Sequence, residues 1–134
     1  MDRQAQIEFI LDHYENPRNH GKMEGADVVS EGGNPGCGDM VTIYLKVDPE
    51  RRVERVTFEG QGCTISQAAA SLVTEMIEGK PLDEVLDLSY DAIVDELGRD
   101  VVMSRPRCAT LALGTVKAAI DSYQKGERAA KIEV

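Results

Sequence analysis

Residues 40–58 read MVTIYLKVDPERRVERVTF and predict a β-hairpin. From Met40 to Val47, apolar and polar residues alternate, which is the pattern of a half-buried strand. A turn follows at 48–51, and a second strand returns over 53–58. A hairpin of this length needs a second layer against its apolar face to be stable in water. The stretch therefore predicts a sheet that is covered by helices.

Helical patterns before and after the hairpin provide that layer. The clearest lies at residues 64–78, where apolar side chains recur every three or four positions and Gly79 marks the end. A first helix is predicted over 3–14, and its inward face consists of Ile7, Ile10, Leu11 and Tyr14. Further helices are predicted at 81–86, 90–97 and 109–124, and a short edge strand at 27–30.

The order of these elements predicts the fold class. Strands precede most of the helices, which is typical of a two-layer α+β domain. We expect a single domain over residues 1–134, with a small antiparallel three-stranded sheet packed against four to five helices. The last eight residues, 127–134, are polar and are expected to fray.

The composition is that of an ordinary soluble globular protein. The chain has 134 residues, of which 42% are hydrophobic and 29% charged, and its formal net charge is −9. This acidity argues against nucleic acid as a partner, because phosphate contacts need clustered Lys and Arg. No segment approaches the ~20 apolar residues of a membrane span, and the N-terminus lacks the apolar region of a secretory signal. We therefore expect a cytoplasmic protein with no membrane partner, which binds proteins or small cations.

Three cysteines, Cys37, Cys63 and Cys108, each lie at an end of a predicted element. An odd count without a secretory signal is typical of thiol or metal chemistry rather than of a disulfide framework. Cys63 and Cys108 stand at predicted helix starts, where unpaired N–H groups favour a thiolate over a thiol. Arg105 and Arg107 add positive charge beside Cys108, or are simply solvated loop charges. The spacing contains no CxxC pattern, so two interpretations remain open: the three cysteines share one site, or they are unrelated.

Asp39 is the candidate for a fourth ligand. Three thiolates leave a tetrahedral metal one ligand short, and Asp39 follows Cys37 by two residues, so both can project to the same side. Because a carboxylate oxygen exchanges on iron more readily than a thiolate, this set favours a carrier of an iron–sulfur cluster or Zn²⁺. By position alone, Asp39 could equally be a turn or capping residue. His13 and His20 are interpreted as a surface helix residue and a loop residue rather than as ligands.

Four segments of the chain resemble a known family. They are DHYENPRN at 12–19, NPGCGD at 34–39, GCTISQAAASL at 62–72 and RCATL at 107–111. On these segments, the sequence resembles the IscU/SufU/NifU-N family of iron–sulfur cluster assembly scaffolds over nearly its full length. The resemblance implies that Cys37, Asp39, Cys63 and Cys108 converge at one exposed end and bind the cluster or metal.

The resemblance also implies a function. Members accept sulfur from a cysteine desulfurase, assemble a [2Fe–2S] cluster and transfer it to recipient apo-proteins, and isolated members often hold Zn²⁺ in the same place. A scaffold or carrier rather than an enzyme is therefore expected. Cys37 or Cys108 is the candidate first sulfur acceptor, with Arg105 and Arg107 as supporting charges. A cluster at an exposed tip could also link copies of the chain into a homo-oligomer.

Departures from the family pattern leave the subtype open. The IscU branch has a His directly before its third cysteine, whereas Arg107 is similar to the basic residue of the SufU branch. SufU members carry an insertion between the second and third cysteines, but the 44-residue spacing here matches the IscU length. The chaperone-recognition motif of many IscU proteins is replaced by VVMSR at 101–105. A SufU-like zinc-dependent sulfurtransferase and a small zinc-stabilised interaction module remain as alternatives.

Overall fold

One β-sheet lies at the centre of the computed structural model, which describes residues 2–36 and 38–133. The strands are β1 (Val28–Asn34), β2 (Asp39–Val47), β3 (Val53–Gln61) and β4 (Ala129–Glu133), in the order β3-β2-β1-β4. The predicted hairpin is confirmed, because β2 and β3 pair antiparallel with a register shift at Lys46/Val47. The predicted edge strand is also present, as β1, which pairs antiparallel with β2 and extends to Asn34.

The fourth strand corrects the prediction of a three-stranded antiparallel sheet. β4 runs parallel to β1, with Ala129 opposite Val29, so the sheet is mixed. The expectation that residues 127–134 fray is also wrong for the described part of that segment, which forms β4. Backbone hydrogen bonds hold an edge strand in the sheet, and they form whether its side chains are polar or apolar. The polar side chains of this segment therefore did not predict the strand.

The described residues form six helices rather than four or five. They are α1 (Arg3–Glu15), α2 (Thr64–Ile77), α3 (Leu82–Leu86), α4 (Tyr90–Leu97), α5 (Arg99–Val102) and α6 (Pro106–Gln124). The α+β class is confirmed. α5 was not predicted because its four residues are too few to show a helical period. α6 begins at Pro106, three residues before the predicted start, because proline is favoured in the first turn of a helix. Across the ranges that the structure covers, no helix combines the length and apolar character needed to cross a membrane.

Helices pack on the sheet and on one another around a single apolar core. α6 lies against β1, β2 and β4, while α2 contacts β3 and α6, and α1 packs on α2. The closest approach is at Gly32 of β1, where an added Cβ would lie 1.9 Å from Thr115 Oγ1 of α6. Only glycine allows the helix to come this near the strand. The approach brings the first turn of α6 to the end of the sheet where β2 begins and β3 ends.

Candidate metal centre

Asp39, Cys63 and Cys108 lie together at this end of the sheet. One ligand atom from each residue lies within 4.8 Å of the other two. The three come from the first position of β2, the residue before α2 and the first turn of α6. Segments far apart along the chain thus bring together three of the four residues that the sequence assigned to one site. The fourth, Cys37, lies outside the described residues.

The carboxylate of Asp39 is buried, with 1% of the residue exposed, and both of its oxygens have partners. The backbone N–H of Cys63 donates to Oδ1 at 2.8 Å, and the thiol of Cys108 donates to Oδ2 at 2.8 Å. The Sγ of Cys63 lies 3.8 Å from the same Oδ2. A buried carboxylate is tolerated only when it is hydrogen-bonded in this way. Asp39 therefore caps the start of α2 with one oxygen and faces two sulfurs with the other.

Cys63 occupies the N-cap position of α2. Its backbone is extended, with φ −73° and ψ 164°, and its sulfur accepts a hydrogen bond from the N–H of Ser66 at 3.5 Å. The hydroxyl of Ser66 donates in return to the backbone oxygen of Cys63 at 3.0 Å. The residue is partly exposed. Cys63 thus combines a fixed backbone with partial exposure to solvent.

Cys108 differs from the sequence prediction. It is the third residue of α6 rather than the residue that opens the helix, and only 1% of it is exposed. Burial raises the pKa of the Cys108 thiol far above its ordinary value, and the hydrogen bond to Asp39 raises it further. The expected thiolate is therefore a thiol, because desolvation and a neighbouring carboxylate outweigh the helix dipole.

The two arginines are placed differently. Arg105, the N-cap residue of α6, lies beside both sulfurs, and its pKa is raised by its interactions with Cys63 and then with Cys108. Arg107 lines a cavity of about 320 Å³ next to Cys108, together with Asn34 and Ser104. The structure therefore brings Arg105 to the sulfurs and leaves Arg107 at the approach to them.

Gly62 is the residue that sequence reasoning missed. Gly62 makes room for the carboxylate of Asp39, since a Cβ there would lie 2.2 Å from Oδ1. Nothing in the sequence pairs residue 62 with residue 39. The available signal was the predicted hairpin register, which places the two at the same end of neighbouring strands.

The donor atoms of the cluster fit a metal of intermediate softness. Sulfur and carboxylate oxygen together suit Zn²⁺ and iron, whereas Mg²⁺ and Ca²⁺ prefer oxygen alone. The site lies at the end of the sheet and is partly open through Cys63.

Comparisons with known proteins agree with this geometry. Residues 5–130 match the family model described as NifU-like N terminal domain. The chain is 40% identical over 125 residues to the iron-sulfur cluster assembly scaffold protein IscU 1 of Archaeoglobus fulgidus, covering 92% of this chain and 80% of that protein. It is 41% identical over 130 residues to the IscU scaffold protein of Escherichia coli, covering 95% and 99%. A solved structure of the SufU protein from Fervidobacterium islandicum is 32% identical, with a TM-score of 0.72, and covers 84% of this chain and 94% of that one.

Proposed function

This chain belongs to the NifU-like N-terminal domain family, and from that premise we propose that it is a scaffold that assembles and transfers an iron–sulfur cluster. The cargo is a labile [2Fe–2S] cluster held by Cys37, Asp39, Cys63 and Cys108. The sulfur donor is a cysteine desulfurase, the recipients are apo iron–sulfur proteins, and the setting is the cytoplasm. The chain acts as a carrier rather than as an enzyme. Its relatives named as IscU scaffolds support the general role.

The observation that carries the proposal is the convergence of a carboxylate and two thiols from three separate elements. Unrelated cysteines would not share a hydrogen-bond acceptor, yet Cys108 and Cys63 lie 2.8 Å and 3.8 Å from the same oxygen of Asp39. A cluster needs several ligands in one small volume, and the fold supplies them without metal-induced rearrangement of the sheet.

Sulfur delivery is a thiol exchange. A thiolate of the scaffold attacks the outer sulfur of the desulfurase persulfide, which forms a scaffold persulfide and releases the desulfurase cysteine as thiolate. Cys108 must first be uncovered and lose its proton, because it is buried and its pKa is raised. Cys37 is the other candidate acceptor. The positive charge of Arg105 beside the sulfurs stabilises the anion that attacks.

Release of the cluster is proposed to depend on Asp39. A carboxylate oxygen is a harder and more exchangeable ligand for iron than a thiolate, so it is the first ligand to leave when a recipient thiolate approaches. We expect Asp39→Ala to hold a more persistent cluster and to transfer it more slowly. Asp83→Ala, an exposed carboxylate on α3, is the matched control and should behave as the wild type. Equal or faster release from Asp39→Ala would remove the proposed role of this residue.

Anaerobic reconstitution with ferrous iron, cysteine, a desulfurase and dithiothreitol tests the proposed function, since the dithiol supplies the two electrons that reduce each transferred sulfur to sulfide. We expect a visible-absorbing [2Fe–2S] chromophore that moves to an apo-ferredoxin added later. Metal and acid-labile sulfide analysis of the reconstituted protein provides the stoichiometry. If neither chromophore nor labile sulfide forms in the wild type, the scaffold function is wrong.

A zinc-dependent sulfurtransferase is the second candidate. Arg107 directly before Cys108 favours it, because this residue is similar to the basic residue of the SufU branch. In this function, Zn²⁺ occupies the same four ligands, and the chain passes sulfur onward without building a cluster. Tight Zn²⁺ binding, together with stimulation of the desulfurase and no chromophore, would select this candidate over the scaffold.

A further inference from the structure

We infer that Gly62 is a positioning residue, which fixes the carboxylate of Asp39 so that only one oxygen, Oδ2, can bind the cargo. The inference rests on the proposed function, because it concerns how the same site holds iron or zinc. It assigns a role to a residue that contributes no ligand atom of its own.

The first observation is the space that Gly62 leaves. Its φ is +140°, and a Cβ added there would lie 2.2 Å from Oδ1 of Asp39, 2.9 Å from its Cα and 3.0 Å from its Cγ. The carboxylate therefore packs directly against the main chain of residue 62. Any larger residue must push the carboxylate out of its present place.

The second observation is the hydrogen bond made by the next residue. The backbone N–H of Cys63 donates to Oδ1 of Asp39 at 2.8 Å. Two consecutive residues thus act on the same oxygen, since Gly62 makes room for Oδ1 and Cys63 binds it. The other oxygen, Oδ2, lies 2.8 Å from the sulfur of Cys108 and 3.8 Å from the sulfur of Cys63. Oδ2 is the oxygen that an ion bound to these sulfurs can reach.

A one-oxygen ligand has a chemical consequence. Because Oδ1 shares its negative charge with an N–H group, the carboxylate is a weaker donor to metal than a free one. Oδ2 can also leave the metal while Oδ1 stays hydrogen-bonded, so release needs no movement of the Asp39 backbone. Gly62 therefore keeps the carboxylate in place as a ligand at equilibrium, while the single-oxygen contact lets that ligand exchange.

The chain offers a matched control at Gly21. Its φ is +136°, close to that of Gly62, and no atom of the described residues lies within 4 Å of an added Cβ. Alanine imposes similar backbone strain at both positions. Only at residue 62 does the new methyl group meet Asp39, at both its carboxylate and its Cα, so a difference between the two variants reports displacement of Asp39 rather than the strain at the glycine.

Co²⁺ binding under anaerobic conditions tests the inference. The probe is Co²⁺ alone, and the readouts are the thiolate-to-cobalt charge-transfer absorption, the ligand-field bands and the affinity. We expect Gly21→Ala to match the wild type. Gly62→Ala should keep the charge-transfer absorption, acquire the ligand-field bands of Asp39→Ala and bind about 10- to 100-fold more weakly than the wild type.

The outcomes separate this inference from the proposed function. Wild-type ligand-field bands and affinity in Gly62→Ala overturn the inference and leave the scaffold function intact. Loss of the charge-transfer absorption in Gly62→Ala also overturns it, because the glycine would then support the whole site. No charge-transfer absorption in the wild type itself contradicts the proposed function.

A measurement on the wild type covers the case in which Gly62→Ala does not fold. Hydrogen exchange of the Cys63 amide is followed by NMR with and without Zn²⁺. Because Oδ1 is expected to stay on this N–H while Oδ2 binds the metal, the protection of the amide should be retained. If Zn²⁺ abolishes that protection, both oxygens leave their positions and the inference is wrong.

Discussion

Helix α2 borders two polar clusters, which differ in whether a metal ion can replace their protons. At its start lies the carboxylate–thiol cluster of Asp39, Cys63 and Cys108. Near its middle lies the histidine–serine cluster of His13 and Ser71, in which Nδ1 of His13 and Oγ of Ser71 are 2.7 Å apart. His13 and Ser71 are buried, as are Asp39 and Cys108, whereas Cys63 is partly exposed. Only the carboxylate–thiol cluster contains thiols, whose protons a metal ion can replace.

Neighbouring groups of the protein make the hydrogen bonds and ring contacts of the histidine–serine cluster. The backbone N–H of Arg18 donates to Oγ of Ser71 at 2.8 Å. The ring of Phe9 packs edge-on against that of His13, with 4.7 Å between the ring centroids. These contacts connect α1 and the segment after it to α2. The comparison teaches that buried polarity alone does not mark a metal site: His13 offers a single ligand, whereas the carboxylate–thiol cluster brings three ligand atoms together.

The largest expected effect comes from removing a sulfur at the open end of α2. Cys63→Ser should lower the chromophore formed in anaerobic reconstitution by more than about tenfold, because a hydroxyl is a poor substitute for a thiolate ligand. The free energy of unfolding should change by less than about 0.5 kcal/mol, since the residue is partly exposed. Visible absorption and urea denaturation measure the two quantities. A full chromophore in Cys63→Ser would contradict the distinction between the clusters.

The reverse experiment removes the serine of the histidine–serine cluster. Ser71→Ala should lower the free energy of unfolding by about 1–3 kcal/mol, because the N–H of Arg18 and the ring of His13 lose a buried partner. The matched control is Ser30→Ala: Ser30 is equally buried, but its Oγ has no hydrogen-bond partner among residues 2–36 and 38–133. Urea denaturation should show little loss for the control. Equal losses in both variants would mean that burial, not hydrogen bonding, sets the cost.

The pH dependence of the free energy of unfolding provides a smaller test of the histidine–serine cluster. Burial lowers the pKa of His13 in the folded chain, and the positive charge of Arg18 lowers it further. As the pH falls below about 6.5, the unfolded chain therefore binds the proton first, and the free energy of unfolding decreases. The contribution reaches at most about 1.4 kcal/mol per pH unit. It is present at higher pH and is lost on acidification until the folded His13 itself becomes protonated.

Urea denaturation at pH 7.5 and 5.5 measures this dependence. His13→Gln should have a flatter pH profile than the wild type. The control is His20→Gln, since His20 is exposed, and it should retain the wild-type profile. A wild-type slope in His13→Gln would show that another group is responsible.

The smallest effect is expected from metal removal. Chelation with EDTA should leave the far-ultraviolet circular dichroism unchanged, because the core consists of apolar side chains and Asp39 already has protein partners for both oxygens. A zinc-stabilised interaction module would instead unfold when its metal is removed. Unfolding on chelation would therefore favour that alternative.

Regular patterns made much of the fold predictable. The hairpin and α2 have periods of two and 3.6 residues, which depend on local sequence alone. The prediction of the inward face of α1 was partly wrong, because Leu11 and Tyr14 are 42% and 45% exposed whereas His13 is 1% exposed. His13, interpreted as a surface residue, lies inside because Ser71 provides a hydrogen-bond partner from another helix. Such pairings across the fold leave no trace in a local pattern.

The proximity of three of the four candidate residues was predictable, and their chemistry was not. The family resemblance named Asp39, Cys63 and Cys108 together, and the structure places them within reach of one another. The protonation state of Cys108 could not be predicted, because it depends on how deeply this part of α6 is buried. The contact of Gly62 with Asp39 depends on the register of β2 and β3, which sequence fixes only loosely.

The hydrogen bond from Cys108 to Asp39 makes cargo loading a proton-exchange reaction. Any cation that binds this sulfur must expel the proton into solvent, so acid competes with the cation by mass action. On the proposed function, a lower pH would therefore weaken cargo binding at this sulfur without a recipient, a docking partner or a change in fold. The same coupling offers a simple assay, since loading in weakly buffered solution can be followed with a pH indicator.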